Sequence, residues 1–416
     1  MIDHLLLERA TLRDGGTADV LIAGGRVAAL GAAAAADPRA AGADRLDLAG
    51  YQLLPAAAEP HAHLDKALLA HRAPNPSGDL TGAVNAVRAA YATMDGADVR
   101  TRATEALRTA LAHGYTAVRT HADVTEGIGT RSLRALTDLR ARASGLIDLQ
   151  VVALTGAPVS GALGRHNRRL LAEAVEAGAD VVGGAPALDL NPRAAVRILV
   201  AAADEAGLPV DLHLDETTDP EMFLLRLFAE EVAGRGLSGR ATASHCVSLG
   251  QQDPETCREV CRALADAGVA VVTLPQTNLY LQGRGRPTHT PRGLTAVAAL
   301  RETGVLVAGG GDNWRDPFNP LGRIDPFETA SLLVAAAHLP VADAWDAVTA
   351  RARAVLGLPP VAVAPGSPAD LVAIRAADLD EAVAAASEDR IVLRGGKVVA
   401  RTRVIRDVVP LQEEAP

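Results

Sequence analysis

Arg240 to Pro275 reads RATASHCVSLGQQDPETCREVCRALADAGVAVVTLP. A short strand candidate, RATASH (240–245), precedes an Ala, Leu, Glu and Arg-rich amphipathic segment, CREVCRALADAG (257–268), and a short apolar run follows, VAVVTLP (269–275). Runs this short fit strands buried on both faces, and the longer periodic segment fits a helix that covers them. The same alternation extends to both sides. YQLLPAA (51–57), YTAVRTH (115–121), DLQVVAL (148–154), ADVVGGAP (179–186), PVDLH (209–213) and VLVAGGGD (305–312) bring the strand candidates to eight. After the first they recur about every 30 residues, with helices such as SLRALTDLRARA (132–143) between them. Eight such units close an α/β, TIM-type (β/α)8 barrel.

The two ends of the chain have a different texture. DVLIAGG, RVAALG and DRLDLAG near the N-terminus, and PADLVAIRA and RIVLRGGKVVARTRVI near the C-terminus, are short strand-like runs cut by glycine. Residues 1–56 and 361–409 are therefore expected to combine into one small β-sandwich domain beside a barrel spanning 57–360. At 416 residues with 49% hydrophobic and 22% charged residues, the chain can fill a large core. A formal charge of −9, with no basic run, gives no field for a phosphate backbone and argues against a nucleic-acid partner. MIDHLLLERATLRDGG lacks a basic leader and no apolar run reaches the roughly 20 residues of a membrane span, so a cytoplasmic protein without a membrane partner is expected. Cys246, Cys257 and Cys261 form neither a disulfide framework nor paired zinc motifs and read as reduced packing thiols.

In such a barrel the chemistry sits where the strands end. Strand one ends in Glu59-Pro60-His61-Ala62-His63-Leu64-Asp65-Lys66, strand two at His121, strand five at His213, strand six at His245 and strand eight at Asp312. Alternate residues of a strand face the same way, so His61 and His63 can aim both imidazoles at one point. His213 and Asp312 arrive from other strands and complete a mixed nitrogen and oxygen shell, the kind that leaves room for water in a catalytic metal site. A single histidine at a strand end is usually structural; five of eleven histidines at matching strand ends point to function.

The segments LLPAAAEPHAHLDK, VRTHADV, VDLHLDET, ATASHCVSL, NLYLQGR and GGGDNWRDPFNPLG resemble, in order and spacing, the cytosine deaminase-like branch of the amidohydrolase superfamily. The resemblance runs over almost the whole chain. It implies one divalent metal ion, zinc or iron, held by His61, His63, His213 and Asp312. It further implies Glu216 as proton shuttle, and His245, with Asp312, beside the reacting water. Branches that bridge two metals use a lysine on strand four, and ADVVGGAPALD has none.

The pattern departs from cytosine deaminases at the substrate. Their strand three ends in a glutamine that reads the pyrimidine; here the stretch is Ala153-Leu154-Thr155-Gly156-Ala157, and Gly156 would leave room for a substituent. Asn313 replaces a second aspartate beside the ligand Asp312. Lys66, one of only two lysines, stands in the HLDK variant shared with N-isopropylammelide hydrolase-like relatives, where it reads either as an oxygen partner for the substrate or as an ion pair with a carboxylate. Gln282, Arg284 and Trp314 match pocket positions. The expectation is a metal-dependent hydrolase that removes an amine from a small nitrogen heterocycle other than cytosine. Hydrolytic opening of a cyclic amide or amidine by the same site is the alternative, and a non-catalytic scaffold a remote one. The partner is a small heterocyclic substrate, with a homo-oligomer left open.

Overall fold

The computed structural model describes residues 4–409, so residues 1–3 of the N-terminal segment lie outside the described residues. Eight parallel strands follow one another around a ring: β1 (Ala57–Ala62), β2 (Tyr115–Val124), β3 (Asp148–Thr155), β4 (Val181–Gly184), β5 (Val210–Leu214), β6 (Ala241–His245), β7 (Val269–Thr273) and β8 (Val307–Gly309). Each pairs with the next, and a bridge between Ala62 and Asp312 brings the last strand end back to the first. Every residue of β2, β5 and β6 is buried, as strands covered on both faces require.

The helices between them start where their sequences cap them. Asp79, Asp95, Asn191, Asp253 and Asp325 each accept a backbone N–H from the first turn that follows, and three of these caps are followed directly by proline. Helix Arg131–Ala143 buries Leu133, Leu136 and Leu139, and helix Pro254–Asp266 buries Cys257, Val260, Cys261 and Leu264. That is the 3.6-residue stripe expected of helices laid on a barrel. All three cysteines are free and buried, in keeping with a packing role.

The chain ends meet in a second, mixed sheet. Tyr51–Pro55 pairs antiparallel with Leu371–Arg375, placing Leu53 opposite Ala373 and Leu54 opposite Val372. Strands from each end extend this pair outward over a core that includes Leu7, Val20, Leu53, Leu371 and Leu393. One expectation is corrected here. The run YQLLPAA is not the first barrel strand: Tyr51–Pro55 belongs to the mixed sheet, and β1 begins only at Ala57. The switch takes one residue, because Ala56 donates its N–H to Asp370 while Ala57 donates its own to Gly114 on the barrel side. Among the described residues no helix is long and apolar enough to cross a membrane.

Candidate active site

His61 lies in β1, His63 just beyond it, His213 in β5 and Asp312 three residues past β8. The structure brings all four together at the C-terminal mouth of the barrel. His61 Nε2 is 3.1 Å from His213 Nε2, which is 3.3 Å from His63 Nε2. Asp312 Oδ1 lies 3.2 Å from His63 Nε2 and 3.7 Å from His61 Nε2. Burial, reinforced by mutual repulsion among charged forms, drives the three imidazoles well below their ordinary pKa, so they are neutral. Burial pushes the Asp312 carboxyl up, and neither of its oxygens has a hydrogen-bond partner. Buried acceptors left bare in this way are rare. Three neutral imidazoles and a bare carboxylate converging on one point form the donor set of a divalent ion such as zinc or iron, and the residues present fit it.

A second layer sets the orientation of His61. Its Nδ1 lies 2.9 Å from Ser244 Oγ, and the Ser244 hydroxyl donates to Asp211 Oδ1 at 2.8 Å. Burial alone would raise the Asp211 carboxyl, but the Arg119 guanidinium and the Ser244 hydroxyl, both in contact with it, help hold the group below its ordinary value. Burial also keeps His121 neutral, so the permanent cation in this set is Arg119, 3.0 Å from Asp211. With its only proton given to Asp211, Ser244 can accept solely from His61 Nδ1–H, which leaves Nε2 unprotonated and facing the centre. His121 stacks on His61 with ring centroids 3.9 Å apart and neither of its nitrogens hydrogen-bonded.

Backbone strain gathers here as well. His245 (φ 73°) and Asp312 (φ 61°) both lie in the left-handed region, which non-glycine residues seldom occupy outside functional sites. The glycines before Asp312 have a steric reason. A Cβ on Gly310 would come within 2.6 Å of Glu59 Oε1, and the Gly311 N–H donates to Glu59 Oε2 at 2.8 Å. Glu59 also accepts the His61 N–H at 3.0 Å, so one buried carboxyl ties the β1 end to the β8 end.

Glu216 stands on the loop after β5, its Oε1 3.7 Å from His245 Nδ1, and its carboxyl makes no hydrogen bond among the described residues. Burial, with the charge of Asp312 added, raises it well above the ordinary carboxyl value, which favours its protonated form. His245 Nδ1 donates to Asn278 Oδ1 at 3.0 Å, and its Nε2, 4.0 Å from Asp312 Oδ2, has no partner. A proton-bearing carboxyl and an imidazole with a free lone pair thus face the same small space, a pairing able to deliver and accept protons in turn.

That space is part of a cavity that opens at the barrel mouth. Lys66, Thr155, Gly156 and Asn313 line it. Lys66 Nζ donates to Asp123 at 2.9 Å and lies 3.2 Å from Asp65 and 3.2 Å from His63 Nδ1. The ion-pair reading of this lysine is the one the geometry carries. Thr155 turns its hydroxyl to Ala153 O at 3.3 Å. The room expected beside Gly156 is filled, since a Cβ there would come within 2.1 Å of Thr125 Oγ1. Asn313 accepts from Thr277 at 3.1 Å and donates to Asp316 at 2.8 Å.

Gln282, Arg284 and Trp314 are absent from the cavity wall. Gln282 donates to the backbone carbonyl of Glu216 at 2.9 Å, Arg284 stacks over Tyr280, and Trp314 is buried with its ring 6.1 Å from that of Tyr115. The sequence reading had not assigned Asp123, Tyr91, Thr125 or Phe318 to the cavity, nor the face of helix Leu80–Ala90 that carries Val84 and Val87. Asp123 follows His121 by two residues on one strand and so shares its face, and Tyr91 is one of only four tyrosines. Either signal could have marked them.

Comparison with known proteins agrees with this geometry. A model described as the amidohydrolase family matches residues 75–400. The chain is 36% identical over 391 residues, 92% of its length and 88% of the relative's, to a pterin deaminase of Rhizobium rhizogenes (strain K84). It is 23% identical over 374 residues, 87% of this chain and 89% of the relative, to N-isopropylammelide isopropyl amidohydrolase of Pseudomonas sp. (strain ADP). Among solved structures, the 5-methylcytosine deaminase of Klebsiella pneumoniae liganded with 5-fluorocytosine superposes with a TM-score of 0.87 at 31% identity, covering 97% of this chain and 99% of that one. With its barrel, its convergent histidines and aspartate, and a family match over most of its length, the chain belongs to the amidohydrolase family.

Proposed function

We propose that the protein is a metal-dependent deaminase that hydrolyses the exocyclic C–N bond of an aminated nitrogen heterocycle, with a pterin-type ring as the first substrate to test. The pterin deaminase relative, matched over nearly the full length of both chains, supports the ring type. The observation that carries the reading is the placement of Glu216 and His245 against the bare Asp312 carboxylate on one side of an otherwise largely apolar cavity.

His61, His63, His213 and Asp312 would hold one divalent ion, whose Lewis acidity makes a water acidic enough to supply hydroxide near neutral pH. His245 and Asp312 orient that water through atoms with no other partner. Glu216, protonated before reaction, gives its proton to the ring nitrogen as the attacked carbon becomes tetrahedral. The carboxylate so formed takes the proton of the new hydroxyl as the carbonyl forms and passes it to the departing amine, while the proton that water loses on attack goes to His245 or Asp312 and returns Glu216 to its acid form, so one group serves as acid twice within a turnover. Cavity walls such as Val84, Val87 and Leu154 limit competing solvent.

Cytosine is expected to be a poor substrate. No side-chain amide stands at Thr155-Gly156-Ala157, and the Thr155 hydroxyl is turned to its own strand. A polar substrate edge without a partner costs selectivity by orders of magnitude in comparable sites. The test is kcat/KM for ammonia release from pterin and from cytosine by zinc-loaded and iron-loaded enzyme. Pterin should exceed cytosine by roughly 100-fold or more. Cytosine turnover equal to or above that of pterin, or ring-opened product without ammonia, would contradict the reading.

A further inference from the structure

One cation on the cavity wall has no task in this chemistry. Leu80, Val84, Val87, Arg88 and Tyr91 line the cavity from helix Leu80–Ala90 and the turn after it. Their spacing of four, three, one and three residues puts them on a single helical face. Three of the five are aliphatic, and the Tyr91 hydroxyl is committed to Asp123 Oδ2 at 3.0 Å. Elsewhere on the wall Lys66 is paired with Asp123 at 2.9 Å, while His63, His213, Glu216, His245 and Asp312 belong to the site already described. Arg88, exposed at the mouth, has neither an ion pair nor a hydrogen bond among the described residues.

We propose that Arg88 is a specificity-determining residue that selects heterocycles carrying a carboxylate, or a comparable planar anion, on the ring edge turned toward helix Leu80–Ala90. A guanidinium offers a rigid fork of donors that matches a carboxylate in two parallel hydrogen bonds, which a neutral substituent cannot return. The neighbouring aliphatic side chains cover the ring face and leave the anion only this partner. Arg88 lies in the last turn of its helix, where the helix dipole favours its positive charge. Because it is exposed, the selection is moderate and weakens with salt.

The inference rests on the deaminase reading for its ring, and the test separates the two. Pterin and pterin-6-carboxylate serve as probes, each assayed for ammonia release and for direct binding by quenching of pterin fluorescence, with native protein, Arg88→Gln and Arg88→Lys. The native enzyme should favour the carboxylated ring by roughly 10-fold in kcat/KM and in Kd at low ionic strength. That ratio should fall toward one in Arg88→Gln, recover in part in Arg88→Lys, and shrink at high salt. Equal ratios in native protein and Arg88→Gln, or equal treatment of the two rings by native protein, would overturn the proposal. Binding that depends on Arg88 without ammonia release would uphold it and sink the deaminase reading. Turnover without Arg88 dependence would do the reverse, and failure to bind either ring would overturn both.

Discussion

At His61 the position of one proton decides whether the imidazole can serve as a ligand. Asp211 takes the Ser244 hydroxyl proton, Ser244 then accepts from His61 Nδ1–H, and the lone pair of Nε2 is left facing His213 and Asp312. Partners behind a metal-binding histidine typically matter by 10-fold to 100-fold in affinity. Ser244→Ala should therefore release the ion to a competing chelator at a free-metal concentration roughly 10-fold higher or more than the native protein does. Unchanged retention would show that the relay does not set the His61 tautomer. Lys66 works at the same scale. Asp65 and Asp123 share its ammonium, and removing one member of a buried ion pair typically costs about 3–5 kcal/mol. Lys66→Met should lower the urea midpoint accordingly, and a variant as stable as the native protein would show that these carboxyls find other partners.

Among the connecting elements, Asp189 joins the loops after β3 and β4, accepting N–H groups from Val159, Ser160 and Asn191. Burial raises its carboxyl, but these hydrogen bonds outweigh that and leave it below the ordinary value. A carboxyl whose folded value is depressed adds stability above its unfolded pKa, and that stability fades as pH falls through the folded value. Asp189→Asn should thus be less stable than the native protein at pH 7, with the gap in denaturation midpoint closing as the pH falls below the ordinary carboxyl range. A gap independent of pH would contradict the assignment. Barrel strands were legible in the sequence because both faces are covered, so VAVVTLP and VLVAGGGD read as short, mostly apolar runs. YQLLPAA was misread for the same reason: apolar texture does not mark where the chain leaves one sheet for another at Ala56. The convergence of His61, His63, His213 and Asp312 was legible because they sit at strand ends, where period and position coincide. Thr125 against Gly156, and the helix face with Val84 and Val87, were not, because they reach the cavity only through the packing of loops.

Across the whole molecule, one buried pair links the mixed sheet to the barrel. Arg390 binds both oxygens of Asp325 at 3.0 and 2.8 Å and donates to His113 O at 2.9 Å, and both charged side chains are fully buried. Asp325 also caps helix Pro326–Ala335. Arg390→Ala takes the buried Asp325 carboxylate from its two-pronged partner, leaving Arg323 at 3.5 Å and the Phe327 N–H, and should cost about 3–5 kcal/mol in denaturant unfolding. A loss below about 1 kcal/mol would mean that the sheet and barrel do not depend on the pair. The central claim is that one ion-binding site works with Glu216 as its proton carrier, and it is tested most directly by metal content and ammonia release measured together on Glu216→Gln. The amide keeps the size of the side chain but cannot carry a proton, so kcat on a pterin should fall by roughly 100-fold or more while each chain still holds about one divalent ion. Loss of the ion, or near-native ammonia release with the ion retained, would contradict the account.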